Sequence, residues 1–124
     1  MKTESIVAGK AYAFALEIIK LYKFLVERKE FVLSKQILRS GTSIGANINE
    51  GISAQSKRDF VHKSSISLKE GRETIYWLRL SKDSNYIEET EFIRLFNSCE
   101  EIIRILTKTI LTTKERYFKP DSKL

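Results

Sequence analysis

Between Ala8 and Val26, apolar or small residues return at Ala8, Ala11, Ala15, Ile18, Tyr22 and Leu25, and these steps of three and four trace one face of an amphipathic helix. Tyr12, Leu16, Ile19 and Val26 widen that face. The charged run Glu27, Arg28, Lys29, Glu30 then ends the pattern without Gly or Pro. Ser34 is placed to cap a second helix, with Leu33 folding back on Leu38 as a hydrophobic staple. Beyond it Ile37, Gly41, Ile44, Ile48 and Gly51 share one seam, flanked by Leu38, Gly45 and Ile52. Ser56, with Asp59 three residues later, reads as a capped start for a third helix whose seam is Phe60, Ser64, Ser67, Gly71, Thr74 and Leu78. Asn85 with Glu88 forms another capping pair, and the fourth seam runs through Phe92, Phe96, Cys99, Ile103, Leu106 and Ile110. Glu88, Glu89 and Glu91 at its start and Lys108 and Lys114 toward its end suit the helix dipole, and Pro120 blocks continuation.

These patterns predict helices over about 5–27, 35–54, 57–82 and 87–115 and a tail over 116–124, within a single domain spanning 1–124. Amphipathic helices joined by short connections imply an all-α, antiparallel up-down-up-down four-helix bundle.

The stretch RSGTSIGANINEG, Arg39 to Gly51, tests that reading because its glycines also suggest a phosphate loop. Such a loop needs its glycines where a strand turns into a helix, and neither GxGxxG nor GxxxxGK[ST] is present. Gly41 and Gly51 fall in register with the isoleucines, so the segment is read as helix interior. Each interior glycine costs about 1 kcal/mol relative to alanine, so close approach of a neighbouring helix has to offset it. The third seam is small in its middle, which predicts that helices two and three pair tightly through Gly41 and Gly71. Asn47 is expected to bond neighbouring backbone inside the bundle. Phe14, Leu21, Phe24, Ile93, Ile105 and Leu111 lie off the central seams, either as a wide core stripe or as an oligomer interface.

At 124 residues the chain is long enough for one well-buried core, and one Pro and five Gly argue against a turn-rich β fold. The lone cysteine, Cys99, excludes an internal disulfide and a cysteine-based zinc cluster; on a core seam it is expected to be inert. The first twenty residues are interrupted by Glu4, Lys10 and Glu17, too polar for a secretory core or a membrane span, so a cytoplasmic protein with no membrane partner is expected. A net charge of +6 favours acidic partners, and Arg104 to Lys123 alone holds six basic residues against two acidic ones.

In the third helix Arg58, His62, Ser65, Lys69, Arg72, Tyr76 and Arg79 recur in steps of four and three on the face away from the seam. Cations with an aromatic among them suit phosphates and a stacked base, and so suit RNA or DNA; a solvated helix face accounts for the same pattern. The tail motif ERYFKP adds Arg116, Tyr117 and Lys119 to that surface, or else is a frayed terminus. Glu70 and Glu73 beside Trp77 fit acid–base work, or simply a surface pair neutralised by Lys69 or Arg72. A di-iron bundle needs paired Glu-x-x-His elements, whereas the chain has one histidine and only Asp59-x-x-His62. No metal, cofactor or catalytic residue is therefore expected.

Ser34 to Gly51, SKQILRSGTSIGANINEG, and Lys57 to Leu80, KRDFVHKSSISLKEGRETIYWLRL, resemble the four-helix-bundle proteins encoded by intervening sequences of bacterial 23S ribosomal RNA genes. These are similar to the accessory variability proteins of diversity-generating retroelements. The string Ser43, Ile44, Asn47, Ile48, Glu50, Gly51 carries most of the resemblance, and Gly71 stands where Ala or Ser is expected. The resemblance implies a ring-like homo-oligomer, commonly a pentamer, and the retroelement relatives bind nucleic acid and a reverse transcriptase through basic surfaces. Structural roles are expected for Gly41, Asn47, Glu50, Gly51 and Gly71, and nucleic acid or a partner protein is the expected ligand of the basic helix faces. A protein-interaction scaffold or accessory subunit without nucleic-acid contact is the alternative.

Overall fold

The computed structural model describes residues 2–118. Four helices, α1 Lys2–Glu27, α2 Leu33–Ile52, α3 Lys57–Asp83 and α4 Glu89–Tyr117, follow one another through connections of four or five residues. Connections this short force each helix to run back along its predecessor, giving an antiparallel four-helix bundle. Backbone approach is most extensive between α2 and α3 and least between α1 and α4, and diagonal pairs stay apart. The looser α1–α4 side is bridged by ion pairs, Lys10 to Glu101 at 3.1 Å and Arg94 to Glu17 at 2.9 Å. The hydrogen bonds from Lys20 and Arg94 hold the Glu17 carboxyl below its ordinary pKa.

The core face of α1 is Val7, Ala11, Phe14, Ile18, Leu21 and Leu25. Phe14 and Leu21, expected off the seam, are buried, whereas Tyr12 and Leu16, expected to widen it, are 67% and 46% exposed. The reason lies in the sequence: α1 carries two parallel apolar repeats one residue apart, and the one with the larger aliphatic and aromatic side chains fills the interior. In α4, Leu95 and Ile102 enter the core, while Phe92 and Phe96 are half-buried and stack on each other at 5.5 Å. Ile105 is half-buried against the core, and Phe24, Ile93 and Leu111 face outward.

The helix ends differ from the expected caps at two places. Lys29 adopts a left-handed backbone (φ 64°), so that its N–H reaches the Val26 carbonyl and that of Glu30 reaches Leu25, closing α1 with a Schellman turn. The buried Glu30 carboxylate then accepts hydrogen bonds from the backbone N–H of Val32 (3.2 Å) and Ser34 (2.7 Å). Glu30, not Ser34, therefore satisfies the first turn of α2, and the helix opens at Leu33 rather than near residue 35. Ser34 is fully buried with its hydroxyl unpartnered. Asn85, expected to cap α4, instead takes the left-handed position that ends α3, its N–H bonding Lys82 and that of Tyr86 bonding Ser81. Glu88 occupies the cap position of α4 without a side-chain bond. The Ser56 cap is formed as its sequence suggests, accepting from the Asp59 N–H at 3.0 Å.

Arg39 to Gly51 is uninterrupted helix, but its glycines do not meet those of α3. A Cβ on Gly41 would stand 2.8 Å from two carbons of Ile18, so Gly41 admits α1. A Cβ on Gly71 would stand 3.1 Å from Ile103, so Gly71 admits α4. Hydroxyls join α2 to α3 instead. Thr74 Oγ1 lies 2.9 Å from Ser40 Oγ, and Ser67 Oγ donates to the Ile44 carbonyl at 2.8 Å, all in the buried centre. Small residues are thus used on two sides of α2, Gly41 and Gly45 toward α1, and hydroxyls with Gly51 toward α3. Cys99 is buried and donates to the Gly71 carbonyl at 3.4 Å; burial pushes its thiol up to about 12.

Candidate nucleic-acid interface

The buried side of α3 is Val61, Ser64, Ser67, Gly71, Thr74, Leu78 and Ser81. Helical geometry therefore turns Arg58, His62, Ser65, Lys69, Arg72, Tyr76 and Arg79 outward, and all seven are exposed. The stripe is about 32 Å long at 1.5 Å per residue and contains no carboxylate. Tyr76 presents its ring beside Trp77, edge-on at 5.1 Å.

What surrounds the stripe decides its charge. Glu70 and Glu73 flank Lys69 and Arg72 in sequence, yet both carboxylates are taken by Arg39 of α2, Glu70 at 3.2 Å. Trp77 Nε1 also donates to Glu73 at 2.9 Å. The expected neutralisation by Lys69 or Arg72 does not occur, and the carboxylates serve as an inter-helix clamp. Among the described residues Lys69, Arg72 and Arg79 form no ion pair. Glu50 is likewise committed, to Lys63 at 2.8 Å, which joins α2 to α3 and raises the Lys63 pKa. Asn47 Nδ2 donates to the Ser43 carbonyl one turn back at 2.9 Å, and Gly51 is buried where a Cβ would meet Lys63 Cβ at 3.2 Å.

Arg58 is the charged stripe member with an aromatic partner: its guanidinium lies 5.3 Å from the Phe118 ring centre. One residue earlier, Lys57 Nζ stands 4.9 Å over Tyr117. The first turn of α3 therefore covers two consecutive aromatic rings at the end of α4, and the ERYF segment is helical through Tyr117. Arg116 is exposed on the rim of a cleft shared with Lys57, which the sequence pattern did not single out, and Lys108, which it placed only as a complement to the helix dipole. Lys57 was legible only as a neighbour of Arg58; nothing in the spacing placed Lys108 near it. Lys119 and Pro120 lie outside the described residues.

No group of three or more His, Cys, Asp or Glu able to hold a metal ion occurs among the described residues, and none of their helices is long and apolar enough to cross a membrane. A family model described as 23S rRNA-intervening sequence protein matches residues 3–108, which takes in the whole of α2, α3 and the basic stripe. The chain belongs to this family. It is also similar to the crystal structure of a protein of unknown function from the S23 ribosomal protein family of Bacteroides thetaiotaomicron VPI-5482, with 50% identity and a TM-score of 0.87 over 88% of this chain and 98% of that one. No curated protein matches the chain. The 23S rRNA-intervening sequence family thus accounts for the bundle and for α3, while α4 from Thr109 onward, with Arg116 and Tyr117, and Phe118 after it fall beyond the matched segment.

Proposed function

We propose that this protein is a non-enzymatic, homo-oligomeric bundle of the bacterial cytoplasm that binds RNA or DNA through the basic face of α3. The observation that carries the reading is the uncompensated charge of Lys69, Arg72 and Arg79: Arg39 draws off the carboxylates adjacent to Lys69 and Arg72, and Asp83 pairs with Lys82. Phosphates would lie along Arg58, Lys69, Arg72 and Arg79, with Tyr76 offering a ring to an unstacked base. A ring assembly, commonly a pentamer, is what the resemblance carried by Ser34 to Gly51 and Lys57 to Leu80 implies. The outward apolar residues of α1, Ile6, Tyr12, Leu16 and Phe24, supply a surface for it.

The test is a salt titration of oligonucleotide binding. Four phosphate contacts on single strands give a log–log slope of about −3, and the double substitution Arg72→Glu, Arg79→Glu flattens it while leaving the melting curve in place. Absence of binding at low salt, or a salt-independent affinity, excludes the reading. The second reading, a protein-interaction scaffold or accessory subunit, draws on the same exposed apolar face of α1; a partner retained after nuclease treatment favours it.

A further inference from the structure

Resting on that reading, the geometry points to a separate subsite at the end of the bundle that holds a nucleoside phosphomonoester, the chemistry of a phosphorylated strand end or of a free nucleotide. The cleft there, of about 400 Å³, lies among the start of α1, the start of α3 and the last turns of α4. Lys57, Lys108 and Arg116 line it against a single carboxylate, Glu4. Two net positive charges converge on a concave site, whereas the α3 stripe spreads its cations along a convex helix. An internal phosphodiester carries one negative charge and suits the stripe; a terminal phosphomonoester carries nearly two, with three strong acceptor oxygens, and suits the cleft.

Its apolar side specifies the rest of the ligand. Phe60 and Tyr117 line the same cleft, and Lys57 Nζ sits 4.9 Å over the Tyr117 ring. A phosphate drawn to that ammonium brings its attached nucleoside beside the Phe60 and Tyr117 rings, and aromatic rings stack with any base. The volume lies in the range of small-ligand sites and takes about one nucleotide. Arg58, at the head of the basic stripe, is the next residue after Lys57 and stacks on the next aromatic, Phe118. A strand whose end is seated in the cleft is therefore placed to leave along α3. The Arg116 and Tyr117 side of the cleft lies beyond the residues matched by the family model.

The experiment compares a 3′-labelled single-stranded oligonucleotide bearing a 5′-phosphate with the same strand bearing a 5′-hydroxyl, by fluorescence anisotropy on the full chain. The phosphorylated strand is expected to bind roughly tenfold more tightly, as charge-assisted contacts to one added group allow. In the Lys57→Ala, Lys108→Ala variant, shown to be folded by its melting curve, the ratio of the two affinities falls to about one. Equal affinity of the two strands for the unmodified protein overturns the subsite while leaving the α3 interface standing. If neither strand binds, the α3 interface fails, and adenosine monophosphate becomes the probe. Its binding, abolished in the double variant, upholds the subsite alone, and its failure to bind overturns that too. Competition of the monophosphate against the phosphorylated strand separates a strand end from a free nucleotide as the source of the ligand.

Discussion

Arg39 of α2 holds the carboxylate of Glu73 on α3, and through that bond it sets the charge of a surface it does not belong to. Glu70, its second partner, is adjacent to Lys69, and Glu73 is adjacent to Arg72. Released from Arg39, the two carboxylates are free to neutralise the stripe. Arg39→Ala is expected to weaken oligonucleotide binding several-fold, and Arg39→Ala combined with Glu70→Gln and Glu73→Gln to restore it. If the triple variant binds no better than the single one, Arg39 is a direct contact and the clamp has no electrostatic role.

The glycines give a sharper stability test. Gly9 is exposed in α1 with nothing within 4 Å of an added Cβ, so Gly9→Ala should stabilise by about 1 kcal/mol through helix propensity alone. At Gly41 the same substitution drives a methyl into the branched centre of Ile18, and overpacking of about 1–3 kcal/mol outweighs the propensity gain. Chemical denaturation should therefore move the two midpoints in opposite directions. A stabilised Gly41→Ala protein would show that α1 sits farther from α2 than described.

Glu30 and Ser34 exchange the roles their residue types suggest. Removing the carboxylate in Glu30→Ala leaves the N–H groups of Val32 and Ser34 unpaired and should cost about 1–2 kcal/mol, the usual loss of a cap. Ser34→Ala deletes a buried hydroxyl that has no partner and should be neutral or stabilising by up to about 1 kcal/mol. The reverse ranking in urea melts would restore the serine as the cap.

Cys99 links stability to alkaline pH. Its folded-state pKa, about 12, lies above the unfolded value near 8.5, so the unfolded chain loses this proton first as pH rises. Stability from the thiol is complete below about pH 8.5 and declines from there toward pH 12, by up to about 1.4 kcal/mol per pH unit. The unsubstituted protein should lose more stability between pH 8 and pH 10 than Cys99→Ala does, and native Cys99 should resist alkylation at pH 8. Parallel pH profiles for the two proteins would contradict the burial.

The bundle was legible because each helix carries a strong three-four repeat, and the seam of α2 was legible residue by residue because glycine and isoleucine alternate with few competitors. In α1 two apolar repeats compete, and periodicity alone does not say which one faces inward; the volumes of Phe14 and Leu21 decide it. Spacing within one helix placed the α3 stripe on a common face. Spacing is silent about what another helix brings, so neither the Arg39 clamp nor the meeting of Lys57 with Tyr117 was readable. Asn85 misled because short polar residues favour both the end of one helix and the start of the next, and the backbone settles which; Ser34 misled because a carboxylate four residues earlier, Glu30, reaches the N–H groups that its hydroxyl was expected to serve.

The protein's one tryptophan has a practical use that follows from its bond to Glu73. Trp77 is half-buried at the α2–α3 boundary, with Tyr76 of the stripe edge-on beside it. Its intrinsic emission should shift when the two helices separate and quench when a base stacks nearby, so folding and ligand occupancy can be followed in unlabelled protein from a single chromophore.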